Sequence, residues 1–283
     1  SHMALLACFS EDREAATQIE EEALAIRREL GDQSGIAQSL HDLANYAFEA
    51  GELERAHSLF QSALDGARTA GDEALVAKAL DNVGLTSTAL EDFEHAHQAL
   101  DESLRIYTER QDAYGTAWVL SHLGWLAERT GAFQKGVEFL SRSMEIRESI
   151  GDTHGLALSA LHLARCYEGL GDQDRALEAR KRSLCLWRDL GRTTWLLRAL
   201  ESFACAEALS GDAYRGCVLL TAVEHLREVW KRTLQPFERE RHADAKEHLK
   251  RMLSAEDLRN SSSRAMAMTL DDTLDFALTQ AVS

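Results

Sequence analysis

Apolar residues recur along this chain at spacings of three and four, in blocks of about 17 residues, with polar turns between blocks at a fixed interval. The stretches GDQSGIAQSL from Gly31, GDEALVAKAL from Gly71, QDAYGTAWVL from Gln111, GDTHGLALSA from Gly151 and GRTTWLLRAL from Gly191 start 40 residues apart without insertion. Halfway through these units stand Gly51, Glu91, Gly131, Gly171 and Gly211. The pattern predicts a repeating unit of two helices, each about 25 Å long, joined by short turns.

Each column of the repeat has a physical role. Asp32, Asp72, Asp112 and Asp152 follow the turn position, where a carboxylate caps the N–H groups of the next helix. The glycines before them suit the left-handed residue that ends the preceding helix. In the first helix Leu40, Leu80, Leu120, Ala160 and Leu200 align. Leu43, Val83, Leu123, Leu163 and Phe203 follow, then Ala44, Gly84, Gly124, Ala164 and Ala204. This is one apolar stripe with a small residue in it, which lets a neighbouring helix come close. In the second helix Ala16, Ala56, Ala96, Gly136, Ala176 and Gly216 form a second small-residue column. Seven residues on stand Ala23, Ala63, Ser103, Ser143, Ser183 and Val223. Gly35, Gly115 and Gly155 share a further column just inside the first helix.

Leu40, Leu43, Ala44, Ala56, Phe60 and Ala63 resemble the signature of the tetratricopeptide repeat (TPR), lengthened here to 40 residues and without its closing proline. The resemblance implies an all-α chain, a right-handed α-α superhelix of about five and a half helix pairs with a C-terminal helical cap. The boundaries follow the period. Residues 1–3 read as the remnant of an expression tag. The array runs 4–230, with a partial unit 4–30 and full units 31–70, 71–110, 111–150, 151–190 and 191–230; the segment 231–283 follows. Ala4-Leu5-Leu6-Ala7 aligns with the tail of a first helix, so the chain is expected to start inside a repeat of a longer parent.

The register is lost after Trp230. Residues 231–252 form the one locally basic stretch, with seven Lys/Arg against four acids. Pro236 fits the first turn of a helix, and Phe237, Ala243, Leu249 and Met252 are candidate apolar contacts. Ser261-Ser262-Ser263 reads as a break, and Thr269 with Asp272 as a capping box before a short last helix. Array followed by LLTAVEHLREVW, QPFERERHADAKEHLKRML and TLDDTLDFAL resembles the C-terminal end of bacterial ATP-dependent regulators of the STAND class. That likeness implies a sensor or interaction region, with the nucleotide- and DNA-binding parts elsewhere.

Composition narrows the choice of function. The 283 residues hold 31 Lys+Arg against 47 Asp+Glu, a net charge of −16, which disfavours nucleic acid as a direct partner. One proline argues against a turn-rich β fold. No apolar run is long enough to span a bilayer. The cysteines Cys8, Cys166, Cys185, Cys205 and Cys217 are odd in number and lack a C-x-x-C pair. They read as reduced thiols of a cytoplasmic protein, and Cys166 and Cys205 as core residues rather than zinc ligands. No metal, cofactor or catalytic set is expected, and hence no enzyme. Self-association stays open.

In TPR superhelices the first helix of each unit lines the groove. Its inward positions here read Gln38-Asp42-Asn45-Glu49, Lys78-Asn82-Leu85-Ala89, Trp118-His122-Trp125-Arg129, Leu158-His162-Arg165-Gly169 and Arg198-Ser202-Cys205-Leu209. Candidate binding residues are therefore Asn45, Asn82, Trp118, His122, Trp125, Arg129, His162, Arg165 and Arg198. One reading is a mixed aromatic and cationic pocket for a protein, a peptide or an anionic small-molecule signal. The other packs the tryptophans against the C-terminal helices or the neighbouring unit. Asn45 and Asn82 match positions that hold a C-terminal peptide in chaperone-binding TPR domains, but His41, Trp118 and His122 replace that clamp's cations. The function expected is a non-catalytic sensor or interaction domain of a larger bacterial signalling or transcription regulator; the alternative is a scaffold or adaptor recognising a peptide or helix.

Overall fold

A computed structural model describes residues 2–279, with side chains from Ala16 onward. Cys8 and the run Ala4-Leu5-Leu6-Ala7 lie outside the described side chains. The chain divides into two compact units, one ending at Asp152 and one starting at Thr153. The first holds α1 (His2–Leu30), α2 (Gln33–Ala50), α3 (Leu53–Ala70), α4 (Glu73–Ala89), α5 (Phe93–Glu109), α6 (Ala113–Arg129) and α7 (Phe133–Ile150). The second holds α8 (Thr153–Gly169), α9 (Gln173–Asp189), α10 (Thr193–Ser210) and α11 (Ala213–Val229). A 3-10 turn at Pro236–Glu238 then leads into α12 (Arg239–Met252), α13 (Ala255–Ala265) and α14 (Leu270–Leu278). Among the described residues there is no strand, and no helix is long and apolar enough to cross a membrane.

Within each unit consecutive helices pair as the period predicts: α2 with α3, α4 with α5, α6 with α7, then α8 with α9 and α10 with α11. In the first unit α2, α4 and α6 also touch one another in a row. The apolar columns form the core, and Ala44, Phe60, Leu80, Val83, Leu100 and Leu123 are buried together. The serine column ties the two helices of a pair. Ser103, Ser143 and Ser183 each donate to a carbonyl 26 residues earlier, those of Ala77, Ala117 and Ala157, at 2.7, 2.7 and 2.8 Å. Each is a buried polar group that is satisfied.

The turns carry the ruler. Asp32, Asp72 and Asp112 cap the next helix by accepting from the N–H of Gly35, Leu75 and Gly115. Seven turn glycines are left-handed, with φ between +63° and +81°. Where the glycine is missing the backbone still adopts that conformation: Glu91, Gln111 and Lys231 have φ of 64°, 53° and 50°. Gly211 is the exception, extended at φ −109°, so its glycine is not used as a left-handed cap. A side chain in the left-handed region costs about 1 kcal/mol that glycine avoids. Replacing exposed Gln111 with glycine should therefore raise stability by about 0.5–1 kcal/mol, read as a higher urea midpoint; an unchanged or lower midpoint refutes the strain at that turn.

Several expectations need correction. α1 is one unbroken helix from His2 to Leu30, so the register's turn near position 11 does not form; no glycine stands there. The serine run 261–263 lies inside α13. A capping box at Ser254 and Asp257 starts that helix, Ser261 Oγ donates to the Leu258 carbonyl, and the break falls at 266–269. On α12 it is Ala245 and Leu249 that are buried, whereas Ala243 and Met252 face solvent. The capping box at Thr269 and Asp272 forms as expected.

The loss of register after Trp230 is partial: a non-helical stretch and the 3-10 turn at Pro236–Glu238 stand where the first turns of a further helix would fall, and α12 starts only at Arg239. Lys231 keeps the turn conformation, and α12 packs on α10 as α4 does on α2. The contact between successive inner helices recurs at a separation of 41 residues: Asn82 with His41, His122 with Asp81, and His242 with Glu201. α12 thus stands where the first helix of a further unit would stand. α13 packs on α11 behind it, and Val218, Ala222, Ala265, Met268 and Phe276 close that end of the stack.

Candidate partner-binding face

In the first unit the inner helices present a linked polar row. His41 is buried, and burial holds its pKa below the ordinary histidine value, so the ring is neutral near pH 7. Asn82 Nδ2 donates to His41 Nε2 at 2.8 Å and to the Lys78 carbonyl at 3.1 Å. Asn45 Nδ2 lies 3.2 Å from Nδ1 of the same ring. Burial opposes charge on Asp42, but hydrogen bonds from His41 and Gln38 outweigh it and keep the carboxyl below its ordinary range. The buried imidazole accepts at Nε2 from Asn82 and donates from Nδ1 to Asp42, and so orients Asn82; Asn45 lies beside the ring, and both asparagines remain partly exposed.

The next rung is built on α6. His122 Nδ1 bonds Asp81 Oδ1 at 2.6 Å, with both side chains nearly buried. The Trp118 ring is partly exposed and lies 5.8 Å from His122 and 6.2 Å from exposed Tyr114. The Arg147 guanidinium sits 4.3 Å from its centre, a cation–π contact. Arg129 is paired with Glu91, the left-handed turn residue. Trp125, at 3 % exposure, is buried and offers no surface. His122 and, in the second unit, His162 are buried as well. Of these four side chains, Trp118 alone keeps part of its surface exposed.

In the second unit the inner face of α10 is covered by the chain itself. Arg198 donates to Glu238 Oε1 at 2.8 Å and lies over Trp195 and Phe237. Burial works against the Glu238 charge, but Arg198 and the nearby Arg165 hold its pKa below the ordinary range. Arg241 of α12 reaches Glu168 at 2.7 Å, a carboxylate that Arg180 shares at 2.6 Å. His242 bridges Glu201 and Glu224, and Lys246 adds a 2.6 Å bond to Glu224. The two carboxylates raise the His242 pKa to about 9, so the ring is an imidazolium that donates from both nitrogens. Arg241, His242 and Lys246 of the basic stretch 231–252 are accordingly partnered by acids of their own chain. Arg198, chosen as a binding residue, serves this docking.

Sequence reasoning missed the cluster of buried Glu201 and Cys205 with half-buried His242, whose donor atoms lie within 4.8 Å of one another. It also missed the stack of Trp187 on Trp195 at 5.3 Å with His154 edge-on to both. The signal for the first was the 41-residue rung, which is visible only when the partners of His41 and His122 are known.

Stacked helix pairs with a polar inner row define a helical-repeat interaction domain. Sequence profiles of the tetratricopeptide repeat match residues 115–189 in one version and 36–70 and 76–110 in another. The chain carries tetratricopeptide repeats, a fold that is typically a non-catalytic protein-interaction scaffold. A profile of anaphase-promoting complex subunit 5 matches residues 1–51. No curated protein sequence matches the chain. Among solved structures, BtubC (BKLC) from P. vanneervenii is similar at 16% identity and TM-score 0.54, covering 85% of this chain and 92% of that one. The Rap conjugation gene regulator of plasmid pLS20, solved with a Phr peptide, is similar at 11% identity and TM-score 0.52, covering 87% and 78%. At such identities the likeness is one of fold.

Proposed function

We propose that the chain is the recognition region of a larger bacterial signalling or transcription regulator, working in the cytoplasm without catalysis. It takes an extended peptide segment of a partner across the inner helices α2, α4 and α6. The observation that carries this reading is the pre-positioned row Asn45, Asn82 and Trp118. Asn82 is oriented by a neutral histidine with Asn45 beside the same ring, and one indole is clamped between Arg147 and two rings, while all three remain partly exposed. Amide groups suit a peptide backbone, and the indole face suits one apolar side chain. The Rap regulator's peptide complex is in keeping with such a ligand, and the order of segments in the C-terminal part supports the regulator setting.

The test is a displayed random-peptide library selected on the full chain. Selected peptides should lose about tenfold or more in affinity, ~1.4 kcal/mol, on Asn82→Ala and on Trp118→Ala. Peptides that bind both variants as tightly as the parent, or a library that yields no binder, refute the face.

A further inference from the structure

Three donor atoms of different elements converge where α12 lies on α10. Glu201 Oε1, Cys205 Sγ and His242 Nδ1 are within 4.8 Å of one another. Glu201 and Cys205 stand four residues apart on one face of α10, and both are buried. His242 approaches from α12 with 12% of its side chain exposed.

Two of the three donors are held from behind. Arg227 Nε donates to Glu201 Oε2 at 3.1 Å, which leaves Oε1 turned toward Cys205 and His242. His242 Nε2 donates to Glu224 Oε1 at 2.8 Å, and Lys246 anchors that carboxylate. A carboxylate behind an imidazole is the arrangement that fixes ring orientation in metal-ligating histidines. The other rungs of the same ladder, His41 with Asn82 and Asp81 with His122, have Asn45 and Leu85 where this rung has a thiol. The cysteine is what sets this rung apart.

We propose that Glu201, Cys205 and His242 form a zinc site. One sulfur, one nitrogen and one oxygen donor select a borderline-soft tetrahedral ion over magnesium or calcium. Tetrahedral bonds of about 2.0–2.3 Å place ligand atoms about 3.3–3.8 Å apart. The 4.0 Å between Cys205 Sγ and Glu201 Oε1 therefore closes with a small side-chain shift. The ion replaces the thiol proton of Cys205 and the Nδ1 proton of His242, and both protons leave to solvent. Zn²⁺ with one thiolate and one carboxylate is then neutral, and a water completes the fourth position. Because two ligands belong to α10 and one to α12, binding fastens the C-terminal segment to the last full helix pair.

The experiment uses the full chain, stripped with a chelator and titrated with Co²⁺ and then Zn²⁺. One equivalent of Co²⁺ should give the near-ultraviolet band of thiolate-to-cobalt charge transfer and the intense visible bands of a tetrahedral ion, with Zn²⁺ displacing it. Cys205→Ser should abolish the charge-transfer band, and it and His242→Gln should each weaken Zn²⁺ binding by about 100-fold or more. Glu224→Gln, which keeps all three ligands, should weaken it by about 10–100-fold. Cys217→Ser should leave band and affinity unchanged, since that thiol faces Ser261. If Cys205→Ser loses its helical circular dichroism, the Glu224→Gln and Cys217→Ser comparison decides. The proposal fails if no stoichiometric binding occurs, if Co²⁺ binds without a thiolate band, or if Glu224→Gln binds Zn²⁺ as the parent does.

Discussion

Arg147→Ala should lower the stability of the chain by about 3–5 kcal/mol, the range for breaking a buried ion pair from one side. Arg147 has no exposed surface. Its guanidinium pairs with Asp152, donates from Nε to Ser143 at 3.1 Å, and from Nη2 to Ser121 at 3.2 Å and the Ala117 carbonyl at 3.3 Å. The same group lies under the Trp118 ring. Burial lowers its pKa, yet a guanidinium keeps its charge at any pH the fold survives. Truncation leaves Asp152, whose side chain is 11% exposed, without that cation, and opens a cavity below Trp118. Arg147→Lys should recover only part of the loss, because an ammonium cannot reproduce the planar fork. Urea denaturation followed by circular dichroism measures both variants. An Arg147→Ala midpoint equal to the parent's would show that the pair is not coupled to folding. If the proposed face is right, the same variant also frees the indole and weakens peptide binding.

Arg147 shows why the array was legible in the sequence and its polar interior was not. The period was readable because its columns repeat residue type: alanine or glycine where helices touch, leucine or valine in the stripe, glycine and aspartate at turns. The column that holds Arg147 repeats neither chemistry nor, at Ala67, size. It reads Arg27, Ala67, Tyr107, Arg147, Trp187 and Arg227, and the last four are large side chains that are buried. Its effect on the next unit was visible without its cause: the added Cβ at Gly115 would lie 2.2 Å from the Tyr107 ring. The inner rungs repeat position and not chemistry. Histidine stands on the earlier helix in His41 with Asn82, and on the later one in Asp81 with His122 and Glu201 with His242. No single column can reveal such pairs. The same contacts explain the buried side chains of α6. Inner helices touch directly, so residues on the flank of the groove, His122 and Trp125 among them, are covered while Trp118 is not. After Trp230 the apolar columns fade, but the turn at Lys231 and the rung at His242 keep the geometry, and charge pairs replace the missing stripe.

Gly216→Ala should cost about 3 kcal/mol net, although alanine by itself favours a helix by about 1 kcal/mol over glycine. The sign is decided by what the added methyl meets. At Gly216 it would lie 2.4 Å from the Ala208 nitrogen, 2.5 Å from the Ala208 Cα and 2.8 Å from the Glu207 carbonyl carbon. These are backbone atoms of α10, so no rotamer change relieves the contact and α11 must move away. α11 carries Arg227, bonded to Glu201, and Arg215, bonded to the Ala277 carbonyl of α14 at 2.8 Å. Displacing it strains the docking of the C-terminal helices as well as the pair itself. Gly124→Ala is the informative contrast. There the methyl would lie 2.4 Å from Leu140 Cγ, a side-chain atom that can give way, and a loss of about 1–2 kcal/mol is expected. Unfolding midpoints rank the two variants, and hydrogen exchange in 239–278 reads the docking separately. A Gly216→Ala chain as stable as the parent, with its C-terminal amides as protected, would mean that the close approach of α10 and α11 is a convenience of packing and not a requirement of the fold.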